Sequence, residues 1–158
     1  MTNDDIVQKL SLLPKGIAEN NLASWEKIVQ FYKKFVDDSE HHFPLENPMH
    51  KALIPIYNLV KEISTTEQAK LFRAGQSMYD LVISTAEQHG LKPGDHSIRV
   101  LNDAEFIIIQ YDVGSPLFDG DNPNIYESHT CNPGDNLMIV LQPLLSKLWN
   151  ETQDKKNV

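Results

Sequence analysis

Ser97-Ile98-Arg99-Val100-Leu101-Asn102-Asp103-Ala104-Glu105-Phe106-Ile107-Ile108-Ile109-Gln110-Tyr111-Asp112-Val113 is the stretch on which the fold class turns. Upstream of it, apolar residues recur at steps of three and four. Within it they recur at every second position or run without a break. A helical face needs the first spacing and a pleated strand the second. The segment therefore reads as two strands, Ser97 to Leu101 and Glu105 to Val113, joined around Asn102-Asp103. That dipeptide turns less readily than Asn-Gly, but it suits a hairpin. Phe106 to Ile109 is apolar on both faces, so this strand calls for cover on both sides.

Working outward toward the N-terminus, the period is helical. Thr2 and Asp5 have capping-box spacing ahead of Ile6, Leu10 and Leu13, and Pro14 and Gly16 close that segment. A second helix, beginning near Asn20 or Asn21, carries Trp25, Ile28, Val29, Tyr32, Phe35 and Val36 as one stripe, with Glu26, Lys27, Lys33 and Lys34 outside it. A third opens at Asn47-Pro48, asparagine as cap and proline in the first turn. Its stripe is Met49, Ala52, Leu53, Ile56, Val60 and Ile63, and Pro55 within it predicts a kink or a restart. The spacing of Leu71, Phe72, Gly75, Met78, Leu81, Val82 and Ala86 predicts a fourth helix from about Thr66 to His89, opened by Thr65 and Gln68 and closed by Gly90.

Toward the C-terminus, residues 114–135 hold Gly114, Pro116, Gly120, Pro123, Pro133 and Gly134, which predicts a long acidic loop with no regular element. From about Asp135 to Asn150, Leu137, Val140, Leu141, Leu144, Leu145 and Leu148 fit one face of a helix. A strand over Leu137–Gln142 followed by a helix from Pro143 fits the same pattern, and the single helix is preferred. The expectation is a single helix-rich α+β domain over 1–158, with about four to five helices on a small antiparallel hairpin or sheet. At 158 residues the chain is long enough to bury a core of its own.

No apolar run approaches the roughly 20 residues that span a bilayer. The opening Met-Thr-Asn-Asp-Asp is acidic where a secretory leader would be basic, which points to a cytoplasmic protein and empties Asn150-Glu151-Thr152 of meaning as a glycosylation site. A single cysteine, Cys131, excludes an internal disulfide and a multi-cysteine zinc site. A net charge of −8 disfavours nucleic acid and anionic membrane as partners, because both are polyanions.

The charge is unevenly placed. Lysine and arginine are absent from Val100 to Ser146, and seven acids lie there: Asp103, Glu105, Asp112, Asp119, Asp121, Glu127 and Asp135. That stretch supplies −7 of the −8. Tyr111, Leu117, Phe118, Ile125 and Tyr126 are interspersed with these acids. Acids speed encounter with a basic partner and aromatics supply desolvated anchors. The plainer alternative is a solvated acidic face whose aromatics pin a loop to the core.

Signatures of catalysis are missing: the sequence has no phosphate-binding glycine loop, no Gly-x-Ser-x-Gly and no His-Glu-x-x-His. Cys131 and His129 would share one side of an extended segment, which is the minimum for a thiolate–imidazole pair. Asp37, Asp38, Glu40, His41, His42, Glu46 and His50 contain two carboxylate–histidine pairs spaced for one helix face, the basis of a metal-binding alternative, although Pro44 breaks the segment. Asp119-Gly120-Asp121-Asn122 opens like a calcium loop but continues with Pro123 and reaches Thr130 where a glutamate is needed. No cofactor or metal is expected.

These features predict a non-enzymatic binding protein that neutralises a basic protein partner, in concrete form an antitoxin-like immunity protein against a toxin. Asp112, Asp119, Asp121, Glu127 and Asp135 would meet basic side chains, and Phe118 and Tyr126 would insert as anchors. The rivals are a small metal-dependent enzyme or metal-binding protein using residues 37–50, and a structural subunit of an oligomer.

Overall fold

The computed structural model describes residues 1–36, 48–87, 91, 94–103, 105–113 and 125–153, with the backbone alone at 48–52. Three helices come first: α1 (Asn3–Ser11), α2 (Ile17–Val36) and α3 (Pro48–Ser64). A short 3₁₀ helix (Glu67–Leu71) leads into five strands, β1 (Arg73–Ser77), β2 (Asp80–Ser84), β3 (His96–Asp103), β4 (Phe106–Val113) and β5 (Ile125–Cys131). The helix α4 (Leu137–Thr152) follows. The strands form one antiparallel meander in the order β1-β2-β3-β4-β5, so the expected helix-rich α+β class holds. No described helix is long and apolar enough to cross a membrane.

Local signals explain the helix ends. Thr2 Oγ1 accepts the Asp5 N–H and Asp5 Oδ2 accepts the Thr2 N–H, both at 3.1 Å, which completes the capping box of α1. These bonds hold the Asp5 carboxyl below its ordinary pKa. Asn136 caps α4 by accepting the Met138 N–H at 3.1 Å. α4 is the single helix preferred from the sequence, and it buries Leu137, Leu141, Leu144, Leu145, Leu148 and Trp149. α3 runs through Pro55 without a break. One lost backbone bond is outweighed there by Leu53, Ile56, Val60 and Ile63, buried on both sides of the ring.

The predicted fourth helix is not formed. Its residues make the 3₁₀ helix and the β1–β2 hairpin, in which Ser77 faces Asp80 across Met78-Tyr79. Apolar residues four apart satisfy a helical face and a strand's alternation equally, so the spacing was ambiguous. Burial decides it: Leu81 and Ile83 are fully buried, while Met78, expected inward, is 79% exposed at a positive φ of 55° in the turn.

Part of the expected loop at 114–135 is also regular, because β5 occupies Ile125–Cys131. Its sequence has no apolar alternation, since most of its residues are exposed or half-buried. The ladder to β4 makes it a strand, with Ile107 opposite Cys131 and Tyr111 opposite Glu127. The β3–β4 hairpin is as expected, except that β3 runs on to Asp103 and β4 starts at Phe106.

The core lies between the helices and one face of the sheet, where Leu81, Ile83, Ile98, Val100, Ile107, Ile109 and Tyr111 meet Trp25, Ile56, Leu141 and Leu148. Cover on both sides of β4 is only partly realised. Ile107 and Ile109 are buried, but Ile108 is half-buried and Phe106 is 43% exposed. The second face carries a polar centre instead. Arg99 Nε lies 3.0 Å from Asp112 Oδ2, and Gln110 Nε2 donates to Asp112 Oδ1 at 2.9 Å.

The two edges of the sheet differ. α2 lies along β1 and the segment before it, and its side chains take up their backbone groups. Asn21 donates to the Lys70 carbonyl, Trp25 Nε1 to the Phe72 carbonyl and Tyr32 to the Tyr79 carbonyl, each at 2.9 Å. Ser24 Oγ accepts the Ala74 N–H. On the far side, among the described residues, β5 pairs with β4 alone.

Candidate partner-binding surface

Of the residues expected at the binding site, Asp112, Tyr126, Glu127 and Asp135 are among the described residues. Asp112 is not on the surface. It is 2% exposed, and its carboxylate faces the Arg99 guanidinium and the Gln110 amide. It lies on the second face of the sheet, opposite Ser97 on β3, which is why an acid can be buried there. Burial pushes its carboxyl above the ordinary range, and Arg99 and the Gln110 bond pull it back. A group so enclosed cannot meet a partner, so the expectation for Asp112 is corrected. Sequence spacing could not reveal the pairing, because Arg99 sits 13 positions away across a hairpin.

Glu127 is on β5 and half-buried, and its carboxylate pairs with His129 Nε2 two residues along the same face. Tyr126 is 64% exposed and its neighbour Ile125 51%. Lys147 Nζ, from α4, sits 3.3 Å from the Tyr126 ring centroid and 5.2 Å from that of Tyr111. Asp135 is exposed in the turn after β5, where its carboxylate accepts the Asn132 N–H at 2.7 Å. Phe118, Asp119 and Asp121 lie outside the described residues, as does the calcium-like segment around them.

Behind Tyr126 a polar chain crosses from α4 to β3. The Tyr111 hydroxyl donates to Glu151 Oε2 at 2.7 Å, since an ionised carboxylate can only accept. His96 Nδ1, 2.9 Å from the same hydroxyl and 3.3 Å from Glu151 Oε2, is then the donor of that contact. Burial, with Glu151 beside it, drives the Tyr111 phenol far above its ordinary pKa. Tyr111 therefore stays protonated and acts as a lock between β4, β3 and the end of α4. His96 and Glu151 also line a cavity of about 330 Å³ together with Thr85 and Thr152. Sequence reasoning missed Lys147, His96 and Glu151. Their contacts join residues 15 to 40 positions apart, where no local period can signal them.

The thiolate–imidazole pair lacks its chemistry. Cys131 is 3% exposed, and burial with Asp135 nearby pushes its thiol above the ordinary value, away from the nucleophilic form. His129 is engaged by Glu127. Among the described residues no group of three or more His, Cys, Asp or Glu side chains is placed to hold a metal ion. Residues 37–47, and the side chain of His50, lie outside the description.

An apolar groove of about 510 Å³ adjoins Asp135. It is walled by Ile54 and Leu59 of α3 and by Leu137 and Met138 of α4, with Glu62 on its rim. Compared with protein-family models, curated proteins and solved structures, the chain matches none.

Proposed function

We propose that the protein binds and neutralises a basic protein partner, as an antitoxin-like immunity protein does, through the β5 side of the sheet. The observation that carries this reading is the exposure of Ile125 and Tyr126, the latter with Lys147 of α4 over its ring, on a strand whose own stretch of sequence has no lysine or arginine. A large exposed aromatic with an aliphatic neighbour has the composition of an interface anchor. Asp103, Glu105 and Asp135 are exposed around the other end of the same strand, while Asp112 and Glu127 are engaged internally. The remaining negative field favours a basic partner and accelerates its encounter. Toxins that attack nucleic acid carry basic clefts, because the phosphates of their substrate require them.

The test is recovery of partners of the tagged protein from lysate of its own organism, at low and high salt. A parallel sample carries Asp119→Asn, Asp121→Asn and Asp135→Asn. The expected outcome is one basic protein in stoichiometric amount with the unaltered chain, lost at high salt and in the substituted one. Identical partners in both samples, or none, would sink the proposal.

A further inference from the structure

We infer that the β5 edge receives an extended basic segment of the partner as a sixth strand. This rests on the binding reading above and specifies its mode. The first ground is the asymmetry of the sheet. The β1 edge is taken up by α2, through Ser24 on the Ala74 N–H and Trp25 and Tyr32 on flanking carbonyls. Among the described residues β5 has a single neighbouring strand, and Ile125, Tyr126, Ser128 and Thr130 on it are exposed. A strand with one neighbour directs every second set of its backbone N–H and C=O groups outward.

The second ground is what β5 lacks. Edge strands in isolated proteins are commonly blunted by lysine, by proline or by very short length. Ile125-Tyr-Glu-Ser-His-Thr-Cys131 has seven residues and neither lysine nor proline. Its isoleucine, tyrosine and threonine favour strand pairing. The bulge between Tyr111 and Asp112 lies at the Ile125 end, so the ladder from Glu127 to Cys131 runs in regular register.

The third ground is charge and selects the occupant. The β3–β4 turn carries exposed Asp103 and Glu105, and Ile107 just beyond it faces Cys131, so both acids lie at the Cys131 end of β5. Exposed Asp135 follows in the turn at that end. An incoming strand with lysine or arginine gains long-range steering from that acidic end of the sheet, of which Asp135 follows directly on β5, and affinity from main-chain bonds. A second copy of this chain would bring another −8 to the same edge and is disfavoured.

The probe is acetyl-Lys-Val-Lys-Val-Lys-Val-Lys-amide carrying a fluorophore, titrated against the full chain by anisotropy. Two control peptides carry N-methyl-valine at every valine, or glutamate at every lysine. N-methylation removes strand donors while keeping charge. Each control is expected to bind at least tenfold more weakly, and equal binding of the N-methylated peptide would overturn strand addition. Ser128→Pro and His129→Pro then test the edge. Adjacent residues send their N–H groups to opposite sides, so one proline lowers thermal stability by breaking the β4 ladder and the other removes an outward donor only. The thermally neutral variant should bind the probe at least tenfold more weakly and lose the natural partner. If it keeps that partner while the Asp119→Asn, Asp121→Asn and Asp135→Asn chain loses it, the acidic surface stands and strand addition falls. A dimer in sedimentation that this variant dissociates would assign the edge to a second copy and also overturn the inference.

Discussion

Arg99 is the residue whose surroundings say most about the sheet. Its guanidinium lies against the buried Asp112 carboxylate, and it also offsets burial at Asp80, whose carboxyl is raised above the ordinary range. Removing one partner of an enclosed ion pair costs more than the pair contributes, because a charge is left without water. Arg99→Met is therefore expected to destabilise the protein by about 2 kcal/mol in urea denaturation at pH 7. That is below the ~3–5 kcal/mol of fully buried pairs, because a third of the Arg99 side chain meets solvent. The pH dependence has a definite sign. Burial raises the Asp112 pKa in the folded chain, so the fold binds this proton more tightly than the unfolded chain does. Stability linked to Asp112 thus grows as pH falls through the raised pKa and is lost as pH rises through it. The Arg99→Met loss should shrink between pH 7 and pH 4.5, and adding Asp112→Asn should reduce that pH dependence to the part carried by Asp80. Met78, at φ 55° in an exposed turn, was unreadable at this scale because nothing in a residue's identity marks the turn it will occupy.

Among the elements, α2 and the β1–β2 hairpin form one unit. The stripe Trp25, Ile28 and Tyr32 was legible because a long surface helix must bury one face. The partner of that stripe was not legible. Trp25 and Tyr32 fill the core and also donate to the Phe72 and Tyr79 carbonyls, so their polar tips hold the backbone of a segment that had read as helical. Trp25→Phe keeps most of the ring but orphans a buried carbonyl. A loss of about 1–3 kcal/mol is expected, with the denaturant slope unchanged. A change smaller than about 0.5 kcal/mol would show that the bond contributes nothing net. β5 escaped recognition for the opposite reason: an edge strand with most of its residues exposed or half-buried has no apolar alternation to display.

Across the whole molecule, cover is graded from β1 to β5. Among the described residues β2, β3 and β4 are hydrogen-bonded on both sides, β3 and β4 carrying the centre of the core, whereas β5 is bonded on one side. Amide hydrogen exchange should follow that gradient, slowest in β3 and β4 and at least tenfold faster in β5, where opening is local. Equal protection across the sheet would mean that the edge is already occupied or covered. By itself the sequence determined the class of the fold, the β3–β4 hairpin, the apolar faces of α1 to α4 and the concentration of acid between 100 and 146. These are local or additive properties, fixed by period, caps and charge. Only the tertiary structure decided that 73–84 is a hairpin, that 125–131 is an edge strand, and that Asp112 is enclosed while Tyr126 is exposed. Each of those depends on which distant backbone or side chain completes a hydrogen bond or takes up a charge, and spacing along the chain carries no record of that partner.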